Sequence, residues 1–176
     1  MTIKTKFLFS ILGIVTLIFI IGVSIYQKTQ QIGKEIKKTE VAQKIVQVAT
    51  SQKGLILDYY RYHEERPKVQ WQLLLRTQNN LMQSGVFDTQ NEQLILKKIN
   101  ETNELVKSIF FELITNYEKP KLNQTEITSS GELEEVLTSQ LLMKTQVSIT
   151  QAYLLSANSL VNIETREKEF NFMAGI

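Results

Sequence analysis

Apolar and polar positions divide this chain at Gln27. Phe7 to Tyr26 reads FLFSILGIVTLIFIIGVSIY, twenty residues without a charge. At about 1.5 Å rise per residue, such a run spans the roughly 30 Å hydrocarbon core of a bilayer. Beyond it, apolar residues recur at spacings of four and three, the seam pattern of packed helices. Val41, Ile45, Val48, Gln52, Ile56 and Tyr59 form the first stripe. No proline separates this stripe from the apolar run, so one helix is expected from about Thr5 to Glu64.

Pro67 disfavours helix at the residue before it and suits the first turn of a new one. A second helix is expected from Pro67 to Gln83, with Trp71, Leu74, Gln78 and Leu81 on one face and Gly85 as its stop. Thr89-Gln90-Asn91-Glu92 is a capping box that opens a third helix running to about Tyr117. Its stripe is Ile95, Ile99, Thr102, Val106, Ile109 and Leu113. Pro120 and the polar run to Ser130 read as a loop, and Ser129-Ser130-Gly131-Glu132 as a second capping box. The fourth stripe is Val136, Gln140, Met143, Val147, Thr150, Leu154, Ala157 and Val161, on a helix ending near Lys168.

These stripes predict an all-α fold, an N-terminal transmembrane helix continuous with an antiparallel four-helix bundle. The expected organisation is a tail over 1–6, a membrane span over 7–26 and a bundle over 27–169. Residues 170–176, FNFMAGI, read as the start of a truncated second span.

Composition narrows the function. The 176 residues carry a formal charge of +2, which implies no strong nucleic-acid field. No cysteine is present, which removes disulfides and thiol chemistry and makes the chain compatible with an extracytoplasmic site. Lys4 and Lys6 would suit a cleaved signal peptide, with Gly22 and Ser24 near a cleavage site. The apolar run exceeds the usual length of about 7–15 residues, so an uncleaved anchor is preferred. Lys28, Lys34, Lys37 and Lys38 after the span outnumber the lysines before it, favouring a cytoplasmic bundle. Large domains translocate largely regardless of charge, so the sequence alone leaves orientation even.

Candidate chemistry is sparse. A histidine is the side chain that titrates nearest neutrality, so His63, the single one, is either a pH sensor or a solvated residue at a helix end. Tyr59, Tyr60, Tyr62, Arg66 and Trp71 cluster at the first corner, with Tyr59, Tyr62, Arg66 and Trp71 the candidate ligand-binding residues. They either line a ligand pocket, or Tyr59 and Trp71 are core while Arg66 pairs locally. Gln52, Gln78, Gln140 and Gln151 fall on or near apolar stripes. There they either fix helix register or bind a polar ligand. Asn100-Glu101-Thr102 and Asn123-Gln124-Thr125 match a glycosylation sequon, a short pattern common by chance. The lysines from Lys28 to Lys44 either touch anionic headgroups or lie on a solvated face. No nucleophile–base set, metal-ligand spacing or phosphate loop is present, so neither catalysis nor a cofactor nor a metal is expected.

The corner segment Asp58-Tyr59-Tyr60-Arg61-Tyr62-His63-Glu64-Glu65-Arg66-Pro67-Lys68-Val69-Gln70-Trp71-Gln72 resembles the extracytoplasmic sensor region of bacterial membrane-bound sensor histidine kinases, which show a pattern of the type DYL…ERxxxQW there. Asn91-Glu92-Gln93-Leu94-Ile95-Leu96 with Ile109-Phe110-Phe111-Glu112-Leu113 is similar to the third helix of that region. Ser139-Gln140-Leu141-Leu142-Met143-Lys144-Thr145-Gln146 is similar to its fourth, so that the likeness covers about residues 40–168. The resemblance implies the input domain of a two-component receptor, single-pass in the bacterial inner membrane with the bundle outside. It implies a homodimer that answers an unidentified small-molecule or protein stimulus, with the lipid bilayer as its other partner. The chain carries no phospho-acceptor motif and no nucleotide-binding domain, so kinase activity is not expected of it. The competing expectation is a single-span adaptor whose bundle docks another protein.

Overall fold

The structure, a computed structural model, describes residues 3–119 and 124–174. Over these residues it is helical throughout its length save for short connections: α1 (Ile3–Tyr62), α2 (Glu65–Met82), α3 (Gln90–Glu118) and α4 (Gln124–Ala174). There is no strand among the described residues. The expected fold is observed: a long apolar N-terminal helix continuing into an antiparallel four-helix bundle.

The chain divides into two compact units, one of Lys38–Asn158 and one of Met1–Lys37 with Ser159–Ile176. In the second of these, α1 is long and apolar enough to cross a membrane near its N-terminus. Its large side chains from Ile11 to Tyr26 are exposed, as lipid-facing residues would be. Within the same unit α4 runs beside α1 through polar contacts. Glu35 is buried, takes a bond from Asn162 at 3.3 Å and lies 3.9 Å from Arg166. Arg166 also donates to Gln31, and Lys28 pairs with Glu169. Helix α4 continues past Lys168, its expected end, to Ala174. Residues 175 and 176 of the expected second span lie outside the described residues.

In the Lys38–Asn158 unit, the corners follow from local chemistry. Helix α1 ends at Tyr62, and the His63 N–H donates to the Tyr59 carbonyl at 2.7 Å. Helix α2 begins at Glu65, two residues before Pro67. Pro67 is then in the first turn, where its missing N–H leaves no bond unmade. Gly85 takes the left-handed conformation, φ 70°, in the turn after α2. The Thr89 box forms as expected: Glu92 N–H donates to the Thr89 hydroxyl at 3.3 Å, and Thr89 N–H to the Glu92 carboxylate at 2.9 Å. The same carboxylate lies 3.1 Å from the buried Lys38 ammonium, which also reaches Asp88 at 2.6 Å. The start of α3 is thereby tied to α1.

Helix α4 differs from expectation at its start and in its facing. It is helical from Gln124, so the loop expected up to Ser130 is absent where described, and residues 120–123 lie outside the described residues. Ser129-Ser130-Gly131-Glu132 is therefore helix interior. The Ser130 hydroxyl donates to Glu134 at 3.3 Å, and its oxygen accepts from Asn116 of α3 at 2.9 Å. The expected stripe from Val136 to Val161 is exposed along its whole length. The buried face is offset from it by two positions, Glu134, Thr138, Leu141, Thr145, Ser148, Ala152 and Leu155, with Leu137 and Ile149 buried beside them. This face mixes the aliphatic Leu137, Leu141, Ile149 and Leu155 with small or hydroxyl-bearing residues. The Thr145 hydroxyl donates to its own helix's Leu141 carbonyl at 2.7 Å, so burial leaves it satisfied.

Two apolar clusters fill the bundle. One contains Ile56, Tyr59, Trp71, Phe110, Leu113 and Leu141. The other contains Ala42, Ile45, Ala49, Ile99, Ala152 and Leu155, with Phe87 from the α2–α3 connection. Its alanines Ala42, Ala49 and Ala152 are fully buried.

Candidate functional site

Polar chemistry concentrates at the α1–α2 corner and in a layer between the two apolar clusters.

At the corner, His63 holds φ 53°, a left-handed backbone unusual for a residue with a side chain. Its ring stacks on Tyr117, with centroids 3.7 Å apart and planes within 9°. Its Nε2 lies 3.7 Å from the Glu134 carboxylate. Tyr59 meets Phe110 edge-on at 5.4 Å, and Phe110 meets Trp71 at 4.5 Å. Burial pushes the Tyr59 hydroxyl up to about 12, and the Glu118 carboxylate adds to the rise. Lys68 donates to Glu118 at 3.0 Å and Glu65 at 3.1 Å, and these bonds hold its ammonium above the usual lysine range.

Of the corner residues singled out in the sequence, Tyr59 and Trp71 are brought together, buried against Phe110. Tyr62 and Arg66 are exposed. The two pairs do not line one enclosed space.

The mid-bundle layer takes one residue from each helix. Tyr59, Trp71, Phe110 and Leu141 belong to one cluster and lie at one level. One heptad away along each helix stand Gln52, Gln78, Asn103 and Ser148. All four are buried. The Ser148 hydroxyl donates to Asn103 Oδ1 at 3.0 Å. Gln52 Nε2, Asn103 Nδ2 and both amide atoms of Gln78 have no hydrogen-bond partner among the described residues. An unsatisfied buried polar group costs about 1–3 kcal/mol, so this layer is destabilising for the packing seen here. It contains no charge, and its free groups are three amide donors and one amide acceptor. Alongside, an open groove of about 460 Å³ runs between α1 and α2, walled by Ser51, Gly54, Leu55, Leu73 and Leu74. Ser51 precedes Gln52 and Leu55 lies three residues after it, and Leu74 stands one turn before Gln78.

Gln52 and Gln78 were visible in the sequence as polar residues on apolar stripes. Gln140 is exposed and Gln151 half-buried, so they do not join them. Asn103 and Ser148 are not legible from periodicity, because the three–four pattern places their neighbours Thr102 and Val147 on the stripes. The heptad relation to Phe110 and Leu141 is the signal that finds them.

Compared with known proteins, the chain matches no family model, no curated protein and no solved structure.

Proposed function

We propose that this chain is the membrane-anchored input module of a two-component receptor, its bundle on the extracytoplasmic side of a bacterial inner membrane. The observation that carries this reading is the uncharged polar layer across all four helices, left with unmade hydrogen bonds. A bundle selected only for rigidity gains by filling such a layer with leucine. A bundle that must hold two packings close in free energy gains by keeping it. A small polar stimulus, or water admitted beside the α1–α2 groove, satisfies the amides in one packing more than in the other. Only such a difference in affinity moves the equilibrium between them. The response is then a small shift of helices. The unbroken α1, which carries both Gln52 and the apolar run, takes part in that shift. The resemblance at the corner agrees with this reading.

The adaptor reading is favoured by a different observation, the exposed apolar side chains Val69, Leu73, Leu94 and Leu105 on α2 and α3.

Topology decides between the two. Single cysteines replace the exposed Arg76 and Lys97 in this cysteine-free chain, and intact cells are treated with a membrane-impermeant thiol reagent. Labelling at both positions is the expected result. Protection at both, relieved by lysis, puts the bundle in the cytoplasm, overturns the input-module reading and leaves the adaptor.

A further inference from the structure

The groove between α1 and α2 combines apolar walls with one unanswered charge. Leu55 of α1 faces Leu73 and Leu74 of α2 across it. Among the described residues, the one charged side chain that lines it is Asp58. Asp58 is exposed and makes no hydrogen bond or ion pair among the described residues. Carboxylates elsewhere on the bundle are engaged: Glu65 and Glu118 hold Lys68, and Asp88 and Glu92 hold Lys38. Nearby cations turn elsewhere. Lys53 donates to Gln146 of α4 at 3.0 Å, and neither Arg61 nor Arg66 lines the groove.

Gly54 also lines the groove, in the interior of α1. A glycine there weakens a helix relative to alanine. Its backbone is not left-handed, and a Cβ at this position would meet nothing within 4 Å. Neither a turn nor a close helix approach therefore calls for glycine. What it supplies is room, because the α1 wall has no side chain between Ser51 and Leu55 where the groove passes.

We infer that this groove binds a small amphipathic organic cation, an ammonium head carrying an apolar tail. The head sits at Asp58, and the tail lies over Gly54 between the leucines. Charge complementarity selects the head. An anion would meet the Asp58 carboxylate with like charge, and a neutral ligand would leave it unanswered. A primary ammonium has three donors, so it can also give a hydrogen bond to the amide oxygen of Gln70, the lining residue of α2 nearest the corner. The walls select the tail. An ion pair between exposed groups changes affinity by about fivefold at most. A bare ammonium ion is therefore not retained, and burial of the tail supplies the rest. Size agrees with a small molecule. The groove's volume of about 460 Å³ lies in the range of ligand sites, about 300–1,000 Å³. From Ser51 to Asp58 the helix rises about 10 Å, which suits a single ring on a short chain better than a docked helix. That such a cation acts as the stimulus rests on the input-module reading; that it binds here does not.

The test is calorimetric titration of the full chain, purified in lipid nanodiscs, with phenethylammonium, after subtraction of the heats from empty nanodiscs. Saturable binding at one site per chain is expected. Phenethyl alcohol and phenylpropanoate keep the tail but remove or invert the charge, and should bind about fivefold more weakly or worse. Ammonium ion without a tail should give no saturable heat. Asp58→Asn is expected to weaken phenethylammonium about fivefold, and Gly54→Leu to abolish its binding by filling the groove. Both positions are exposed, so the helical circular dichroism should be kept in both variants. Leu73→Ser, which removes part of a wall and leaves the charge, should weaken binding as well and serves if either of the others fails to fold. No saturable heat with phenethylammonium overturns the inference. So does equal affinity for phenethyl alcohol or phenylpropanoate, or undiminished affinity in folded Asp58→Asn. A Leu73→Cys thiol shielded in native membranes, open in the purified chain and not protected by phenethylammonium shows another protein in the groove, and also overturns it. If thiol labelling puts the bundle in the cytoplasm while phenethylammonium still binds, the input-module reading fails and the site stands. If the bundle is outside and phenethylammonium does not bind, the module stands and this ligand class falls.

Discussion

Trp71 is fully buried at the centre of one cluster, with its ring against Phe110. Its loss removes the largest side chain of that cluster from a site walled by three other helices. Trp71→Ala is therefore expected to cost about 3–5 kcal/mol in denaturant unfolding. A loss below about 1 kcal/mol would mean that the surrounding helices close over the gap almost completely. Tyr59, beside it, makes a second expectation. Its hydroxyl ionises near 10.0 in an unfolded chain and at about 12 in the fold. Between those values the unfolded state has released a proton that the folded state retains, so unfolding is favoured as pH rises. The stabilising effect of the neutral phenol is thus fully present below pH 10 and lost as pH climbs towards 12. Urea midpoints measured across that window should fall, and Tyr59→Phe should flatten the fall. An unchanged slope in the variant would assign the alkaline loss to other groups, with Lys68 the first to examine.

Among the helices, α1, α2 and α3 are legible as helices, and the stripe of α1 is largely the buried face; on α2 and α3 the expected Leu74, Thr102 and Ile109 are only half-buried, and their neighbours Leu75, Asn103 and Phe110 are buried instead. Their boundaries followed from Pro67, Gly85 and the Thr89 box, whose residues act locally and so announce themselves locally. Helix α4 was legible as a helix but not in its facing. It carries two sets of positions with the same period, two residues apart, and the sequence favours the one with valine, methionine and leucine. The bundle buries the other, because Thr145 and Ser148 satisfy their hydroxyls at Leu141 and Asn103 and their small size suits close helix approach. Hydrogen bonds across helices cannot be read from one helix's periodicity. For the same reason only half of the polar layer was legible. Gln52 and Gln78 stand on unambiguous stripes, while Asn103 is recognised only beside Ser148. The Ser129-Ser130-Gly131-Glu132 motif misled because Asn116 of α3 supplies a partner that lets the helix continue through it.

The bundle of Lys38–Asn158 is governed by the layer that divides its core. Gln78 has no exposed surface, and neither of its amide atoms is bonded among the described residues. Gln78→Leu keeps nearly the same volume and removes the unmade bonds. It should stabilise the bundle by about 1–3 kcal/mol, read as a higher urea midpoint. A destabilised variant would show that bonds to solvent within the layer outweigh the amide's desolvation. The division also bears on how the folded protein breathes. The cluster around Trp71 draws on all four helices, while that around Ile45 takes its buried residues from α1, α3, α4 and the α2–α3 connection, with Leu81 and Met82 of α2 half-buried against it; the two share no buried residue. At the boundary between them stand Gln52, Gln78, Asn103 and Ser148, where the apolar contacts of the two clusters are interrupted. Amide hydrogen exchange should therefore sort the backbone into two protected sets, residues around Trp71 and Phe110 opening with one free energy and those around Ile45 and Leu155 with another. In the Gln78→Leu protein the two sets should merge, as a continuous core would make the bundle open as one.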